Sequence, residues 1–208
     1  MATDTAAPPT RPQRLLELLA TRSAQRGRFT LSSGRTSDLY IDARLTTMSP
    51  EGLSLIGPLA REALRAVAWG ADVRAVGGLT LGADPVSYAV AYASALAGDD
   101  PPIRAFTVRK EAKAHGTGRL IEGPFRAGDR VAVIEDVITT GSSALRAVDA
   151  IAAAGGEVAG VLAVVDREEG GREAIEARGL PVLALVRAHD VLARLDVGVR
   201  GGDGAAGR

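Results

Sequence analysis

From residue 73 onward the chain repeats one arrangement: a short aliphatic run, a small turn, then a stretch whose apolar positions recur every three or four residues. Val73–Val76, Ile103–Val108, Val131–Ile134, Val158–Val165 and Val182–Val186 read as strands. They are too continuously apolar to leave one face in water. Helices are predicted from Asp84-Pro85 to about Ala97 and over Ser142–Ala154, Arg172–Arg178 and His189–Leu195. Such strands alternating with helices predict an α/β fold, a mainly parallel sheet flanked by helices on both faces. Arg109–Arg126 interrupts the alternation as a long polar loop.

The first third is patterned differently. Leu15, Leu16, Leu18 and Leu19 give a first helix one apolar face, and Arg28–Leu31 and Leu39–Asp42 read as short strands around Ser32-Ser33-Gly34-Arg35. Ser49 is placed to cap a helix with Pro50 at its first position. Leu55, Leu59, Ala63 and Val67 carry that helix's stripe, with a kink expected at Pro58. The helix and hairpin predict a small hood over the edge of the sheet. Residues 1–12 and 198–208, rich in Gly, Ala and Pro, read as disordered tails. That leaves one domain over residues 13–197, with the hood elements in 13–48. No internal repeat is present.

Composition narrows the chemistry. Apolar residues are 46% of the chain and aromatics 3%, so the core is built of Ala, Val, Leu and Ile. Basic and acidic residues balance at 25 each, which argues against a nucleic-acid partner. Without cysteine, a disulfide frame, a thiolate nucleophile and a zinc–thiolate site are excluded. Met1–Pro12 lacks the pattern of a signal peptide, and no apolar run approaches the ~18 residues of a membrane span. A soluble cytoplasmic protein is expected. Only two of the 25 basic residues are lysine, Lys110 and Lys113, and they fall within one loop. Lysine is a compact point charge that arginine does not replace.

The sharpest signal lies at Val131–Ala144. Four apolar residues run into Glu135-Asp136, and Val137-Ile138 then lead to Thr139-Thr140-Gly141-Ser142-Ser143 and a helix. Ligands of parallel α/β sheets sit at the carboxyl ends of strands. A carboxylate pair there is costly unless it binds a cation or sugar hydroxyls. The turn offers backbone amides, hydroxyls and a helix N-terminus, which together cradle an anion. A phosphorylated sugar joins the two ends. A strand, an Asx turn and a capped helix would account for Thr-Thr-Gly-Ser alone, but would leave the acidic pair unexplained.

Glu135–Ser143 resembles the donor-binding signature of the type I phosphoribosyltransferases, which bind phosphoribosyl pyrophosphate (PRPP). Phe29–Ser37 with Tyr40-Ile41-Asp42, and Arg109–Gly116 followed by Ile121-Glu122-Gly123, resemble the hood and the mobile catalytic loop of the orotate phosphoribosyltransferases within that superfamily. The resemblance runs from about residue 14 to 195. It implies that Glu135 and Asp136 contact the ribose hydroxyls while the turn of Thr139, Thr140, Gly141, Ser142 and Ser143 holds the 5′-phosphate, with Val137 and Ile138 also binding PRPP. Arg109, Lys110, Lys113 and His115 would meet the pyrophosphate, with Lys113 the foremost catalytic cation and Asp136 also catalytic. Arg167 would receive the carboxylate of orotate, with Thr139 touching the pyrimidine.

The implied reaction is pentosyl transfer from PRPP to orotate, giving orotidine 5′-monophosphate in pyrimidine synthesis. Mg²⁺ would ride on the donor near Glu135 and Asp136, and a homodimer would share its active sites. Gly77-Gly78-Leu79-Thr80-Leu81-Gly82 resembles the family's pyrophosphate-side loop, although a glycine pair equally serves a tight turn. Ser32 and Leu81 stand where some members carry lysine, so those side-chain contacts are lost. The acidic pair is Glu-Asp rather than two aspartates. A transferase for another base would share Glu135–Ser143 without needing the loop or the hood. A regulator that only senses PRPP could discard the loop, and would usually carry a nucleic-acid-binding surface.

Overall fold

The computed structural model of the chain describes residues 8–30, 36–111 and 120–202. Helix α1 (Arg11–Leu18) opens the fold on a capping box between Thr10 and Gln13 and passes into a π-helical turn at Leu19–Ser23. The hairpin of β1 (Ala24–Thr30) and β2 (Thr36–Ile41) forms a separate two-stranded antiparallel sheet. A short α2 (Arg44–Thr47) follows. Then comes α3 (Pro50–Ala66), capped as the sequence predicts, with the Ser49 Oγ accepting from the Gly52 amide at 3.0 Å. Helix α3 runs on through Pro58.

The remaining elements are β3 (Ala75–Leu79), α4 (Ala83–Leu96), β4 (Arg104–Val108), β5 (Ile121–Glu122), β6 (Arg130–Ile138), α5 (Ser142–Ala153), β7 (Glu157–Asp166), α6 (Gly171–Glu176), β8 (Val182–Arg187) and α7 (Ala188–Gly202). One sheet takes the order β5-β4-β3-β6-β7-β8, parallel except for β5. Alternation along β6 decides what covers each face. Ala132 and Ile134 belong to the core shared with Leu15, Ile56, Leu64, Val90 and Val191, from α1, α3, α4 and α7. Val131 and Val133 belong to the core of Ala147, Ile151 and Ile175, from α5 and α6.

Several boundaries differ from the sequence reading, each for a local reason. Strand β3 takes in Gly77 and Gly78, read from sequence as a turn, because it lies tightly between its neighbours. A Cβ on Gly77 would stand 2.6 Å from the Phe106 ring, and one on Gly78 would strike the Ile134 carbonyl. Strand β6 continues through the acidic pair to Ile138, carried by pairing with β7 as far as Asp166. The polar loop contains β5, tied to β4 through Thr107 and Val108. Helices α1 and α7 reach into the segments expected as tails. The Thr10 cap starts α1 at Arg11, and no proline stops α7 before Gly202. The hood lies over the carboxyl ends of β6 and β7 rather than over an edge, held where the Arg167 NH2 donates to the Leu39 carbonyl at 2.8 Å.

Strand β3 leads through α4 to β4 on one side, while β6 lies on its other side. The chain therefore parts at the carboxyl ends of β3 and β6, the crevice where open parallel sheets bind ligands.

Candidate active site

Asp136 leaves the end of β6 beside the loop that leaves β3. A Cβ on Gly82 would lie 2.6 Å from the Asp136 carboxylate carbon, so any larger residue there would push that carboxylate aside. This is a sharper role than a glycine-rich turn suggests. The Asp136 Oδ1 accepts from the Val137 amide at 2.9 Å. Burial raises its pKa, opposed by that hydrogen bond and by the positive charge of Arg44.

Glu135 is more deeply placed, at 7% exposure, and among the described residues its Oε1 meets no hydrogen-bond donor. Burial pushes its carboxyl up to about 8, and the neighbouring Asp136 charge adds to the effect. A buried carboxyl oxygen that meets no donor among the described residues, next to a second acid on the cavity floor, is an acceptor that a hydroxyl or a cation could satisfy.

Gly141 turns the chain into α5 at φ 77°, and a Cβ there would also press to 2.7 Å from the Gly171 carbonyl. No side chain caps this helix. Its first amides and the exposed hydroxyls of Thr140, Ser142 and Ser143 therefore face outward together. The Thr140 Oγ1 donates to the Ser142 Oγ at 3.2 Å, which orders the turn.

A cavity of about 590 Å³ joins these parts. Its floor is Asp136, Val137 and the Thr139–Ser143 turn, its roof is Phe29 and Tyr40 of the hood, and Arg44, Arg167 and Glu169 stand at its sides. The roof rings pack on each other with centroids 5.3 Å apart. The Arg44 guanidinium grips Asp42 at 2.8 and 3.0 Å and holds that carboxyl below its ordinary range. Arg167, 6% exposed, donates from NH2 to the Glu169 Oε1 at 2.7 Å as well as to the hood.

A larger groove of about 1060 Å³ runs between α3 and α4, lined mainly by apolar groups such as Leu53, Pro58, Tyr88, Tyr92 and Leu96. It has neither a carboxylate pair at strand ends nor an amide cradle, so the smaller cavity is the candidate active site.

The sequence-predicted residues divide four ways. Asp136, Val137, Thr139, Thr140, Ser142, Ser143 and Arg167 line the cavity. Glu135, Ile138 and Gly141 lie beneath it, the Ile138 side chain in the core, which leaves that residue a backbone role at most. Arg109 and Lys110 stand at the base of the loop outside the cavity. Arg109 pairs with Leu120 through its amide at 2.8 Å, and the Lys110 carbonyl accepts from Arg146 at 3.0 Å. Lys113 and His115, like Ser32 in the hood turn, lie outside the described residues.

Three wall residues escaped the sequence reading. Asp42 is read from the sequence only as the end of the hood strand, and Arg44 stands two residues beyond it. Glu169 had no signal, since Arg167-Glu168-Glu169 reads as a surface charge run. Among the described residues no group of three or more His, Asp or Glu is placed to hold a metal ion. No helix there is long and apolar enough to cross a membrane.

No family model matches the chain. It is 49% identical over 179 residues to the orotate phosphoribosyltransferase of Aquifex aeolicus, covering 86% of this chain and 94% of that one. The chain belongs to the orotate phosphoribosyltransferase family. Its architecture is accordingly the type I phosphoribosyltransferase fold. The orotate phosphoribosyltransferase of Mycobacterium tuberculosis H37Rv, solved in complex with Fe(III) dicitrate, superposes with a TM-score of 0.76 at 49% identity, covering 88% of this chain and 99% of that one. The same enzyme solved with PRPP gives 0.72 at 44% identity, with the same coverage.

Proposed function

We propose that the chain transfers the 5-phosphoribosyl group of PRPP to orotate, releasing pyrophosphate and forming orotidine 5′-monophosphate for pyrimidine synthesis in the cytoplasm. The observation that carries this reading is the acidic pair at the end of β6 running directly into an uncapped, hydroxyl-rich helix start under the hood. The M. tuberculosis relative solved with PRPP supports it.

In this reading Glu135 and Asp136 accept the ribose hydroxyls. The amides and hydroxyls of Thr139–Ser143 take the 5′-phosphate, Val137 and Ile138 supplying the backbone between. Arg167 meets the carboxylate of orotate with a planar, always-charged guanidinium, and Thr139 touches the pyrimidine. With both substrates held, the pyrimidine nitrogen faces C1, and fixed orientation supplies much of the acceleration. As the bond to pyrophosphate lengthens, C1 passes through an oxocarbenium-like state. Arg109, Lys110, Lys113 and His115 arrive with the closing loop and stabilise the departing charge.

Mg²⁺ fits this donor set. Glu135 and Asp136 offer only hard oxygen, including one buried acceptor that meets no donor among the described residues, which suits a cation carried mainly by substrate phosphates. When bound, it would neutralise pyrophosphate charge.

The active form would be a homodimer with shared sites. Arg109 and Lys110 stand outside their own chain's cavity, and in the proposed dimer their loop would serve the partner's site. The α3–α4 groove, with Tyr88, Tyr92 and Leu96 more than half exposed, is the apolar face such a partner would cover. The activity is tested by following orotate absorbance with PRPP and Mg²⁺. Orotate should disappear only when both are present and stop on chelation. Disappearance without PRPP would contradict the proposal.

A further inference from the structure

Arg167 and Glu169 both line the cavity, and the residue between them is held in an unusual shape. Glu168 adopts φ 57°, the left-handed region that a long side chain seldom enters without compensation. Among the described residues it is the one non-glycine position there. Three contacts fix it. The Glu168 amide donates to the Asp166 Oδ1 at 2.9 Å, and Asp166 is itself buried and gripped by the Arg172 Nε at 2.8 Å. The Glu168 carboxylate accepts from the His189 amide at 3.1 Å and from the His189 Nδ1 at 2.9 Å. Since a carboxylate oxygen only accepts, Nδ1 carries the proton. The far ring nitrogen lies 3.2 Å from the Asp190 Oδ1, so the imidazole sits between two acids at the start of α7.

We propose that Glu168 and His189 are positioning residues for the acceptor base. Their latch holds the bend after β7 that turns Arg167 back onto Glu169 and the Leu39 carbonyl, and so presents its guanidinium to a planar carboxylate. The role of Arg167 toward orotate rests on the function proposed above; the latch itself does not. Both side chains are exposed, His189 at 59% and Glu168 at 38%, so neither holds the core together. Among the described residues no other non-glycine position accepts the cost of a left-handed backbone, and this one stands beside the site, as expected of strain kept for function.

Two readouts on the whole protein separate the latch from the activity. In His189→Ala, amide hydrogen exchange at Arg167 and Glu168 should quicken without ligand. With PRPP saturating, the orotate KM should rise about two- to five-fold, the reach of an exposed ion pair. The PRPP KM and kcat should stay within two-fold. His189→Asn, whose amide can donate where Nδ1 does, should restore both. Glu168→Gly removes strain and latch together, so its melting temperature should hold while the orotate KM rises. Unchanged exchange in His189→Ala would overturn the latch whatever the activity. Faster exchange with an unchanged orotate KM would overturn the positioning role. Faster exchange in a protein that ignores orotate would uphold the latch and overturn the activity instead.

Discussion

Replacing Glu135 with glutamine should make the ligand-free protein more stable, increasingly so as the pH rises. Glu135 is 7% exposed, its Oε1 meets no donor among the described residues, and burial lifts its carboxyl from 4.5 to about 8. Between those values the folded chain holds a proton that the unfolded chain has released. Stability therefore falls as pH rises through this window, and the penalty is complete above about 8. The full shift corresponds to about 5 kcal/mol, which relaxation and water entry reduce to a few kcal/mol. Glutamine keeps the shape of the protonated acid and never ionises. In a domain of this size each kcal/mol moves the midpoint by about 2–4 °C, so Glu135→Gln should melt roughly 5–10 °C above wild type at pH 9. The difference should narrow toward zero near pH 5. Thermal melts of both proteins, without ligand, across pH 5 to 9 measure this. A difference that is flat with pH, or a wild type more stable at pH 9, would refute the claim that this carboxyl is an unspent, desolvated group awaiting a ligand.

Lys113→Ala should lower kcat by more than ~10²-fold with donor affinity within a few-fold, and Lys113→Arg should be impaired too. Steady-state kinetics decide this, and full activity in the arginine variant would mean that Lys113 serves only as a solvated surface charge. Gly82→Ala should raise the PRPP KM about ten-fold or more, because the new methyl displaces the Asp136 carboxylate while the fold stays intact. An unchanged KM would remove Asp136 from the donor site. Finally, Lys113→Ala and Asp136→Asn, each nearly inactive alone, should recover about a quarter of wild-type activity when mixed in equal amounts with subunit exchange confirmed. No recovery would mean that each site is built from one chain.

What could be read in the sequence follows from how local its cause is. The parallel strands announced themselves because burial on both faces leaves no polar positions, as in Val131–Ile134 and Val158–Val165. Ser49-Pro50 specified the start of α3 by its own chemistry. Glu135-Asp136 and Thr139–Ser143 were legible because one short stretch holds both arms of the site. Features set by distant partners were not. That β3 absorbs Gly77-Gly78 depends on Phe106 and Ile134 crowding it. That the hood covers strand ends depends on Arg167 reaching Leu39, 128 residues away. Arg44 and Glu169 become wall residues only once the hood and the bend after β7 face each other, and His189 meets Glu168 only because α7 starts beside that bend.

In the proposed function the base is selected by Arg167, whose guanidinium would meet the carboxylate that orotate carries and that uracil, hypoxanthine and xanthine lack. The most direct measurement supplies orotate, uracil, hypoxanthine and xanthine at equal concentration with PRPP and Mg²⁺, following each base and the pyrophosphate released. Orotate alone should disappear, one pyrophosphate appearing for each orotate consumed. Turnover of uracil, which lacks the carboxylate, with orotate left untouched would contradict the assignment of Arg167 and the account built on it.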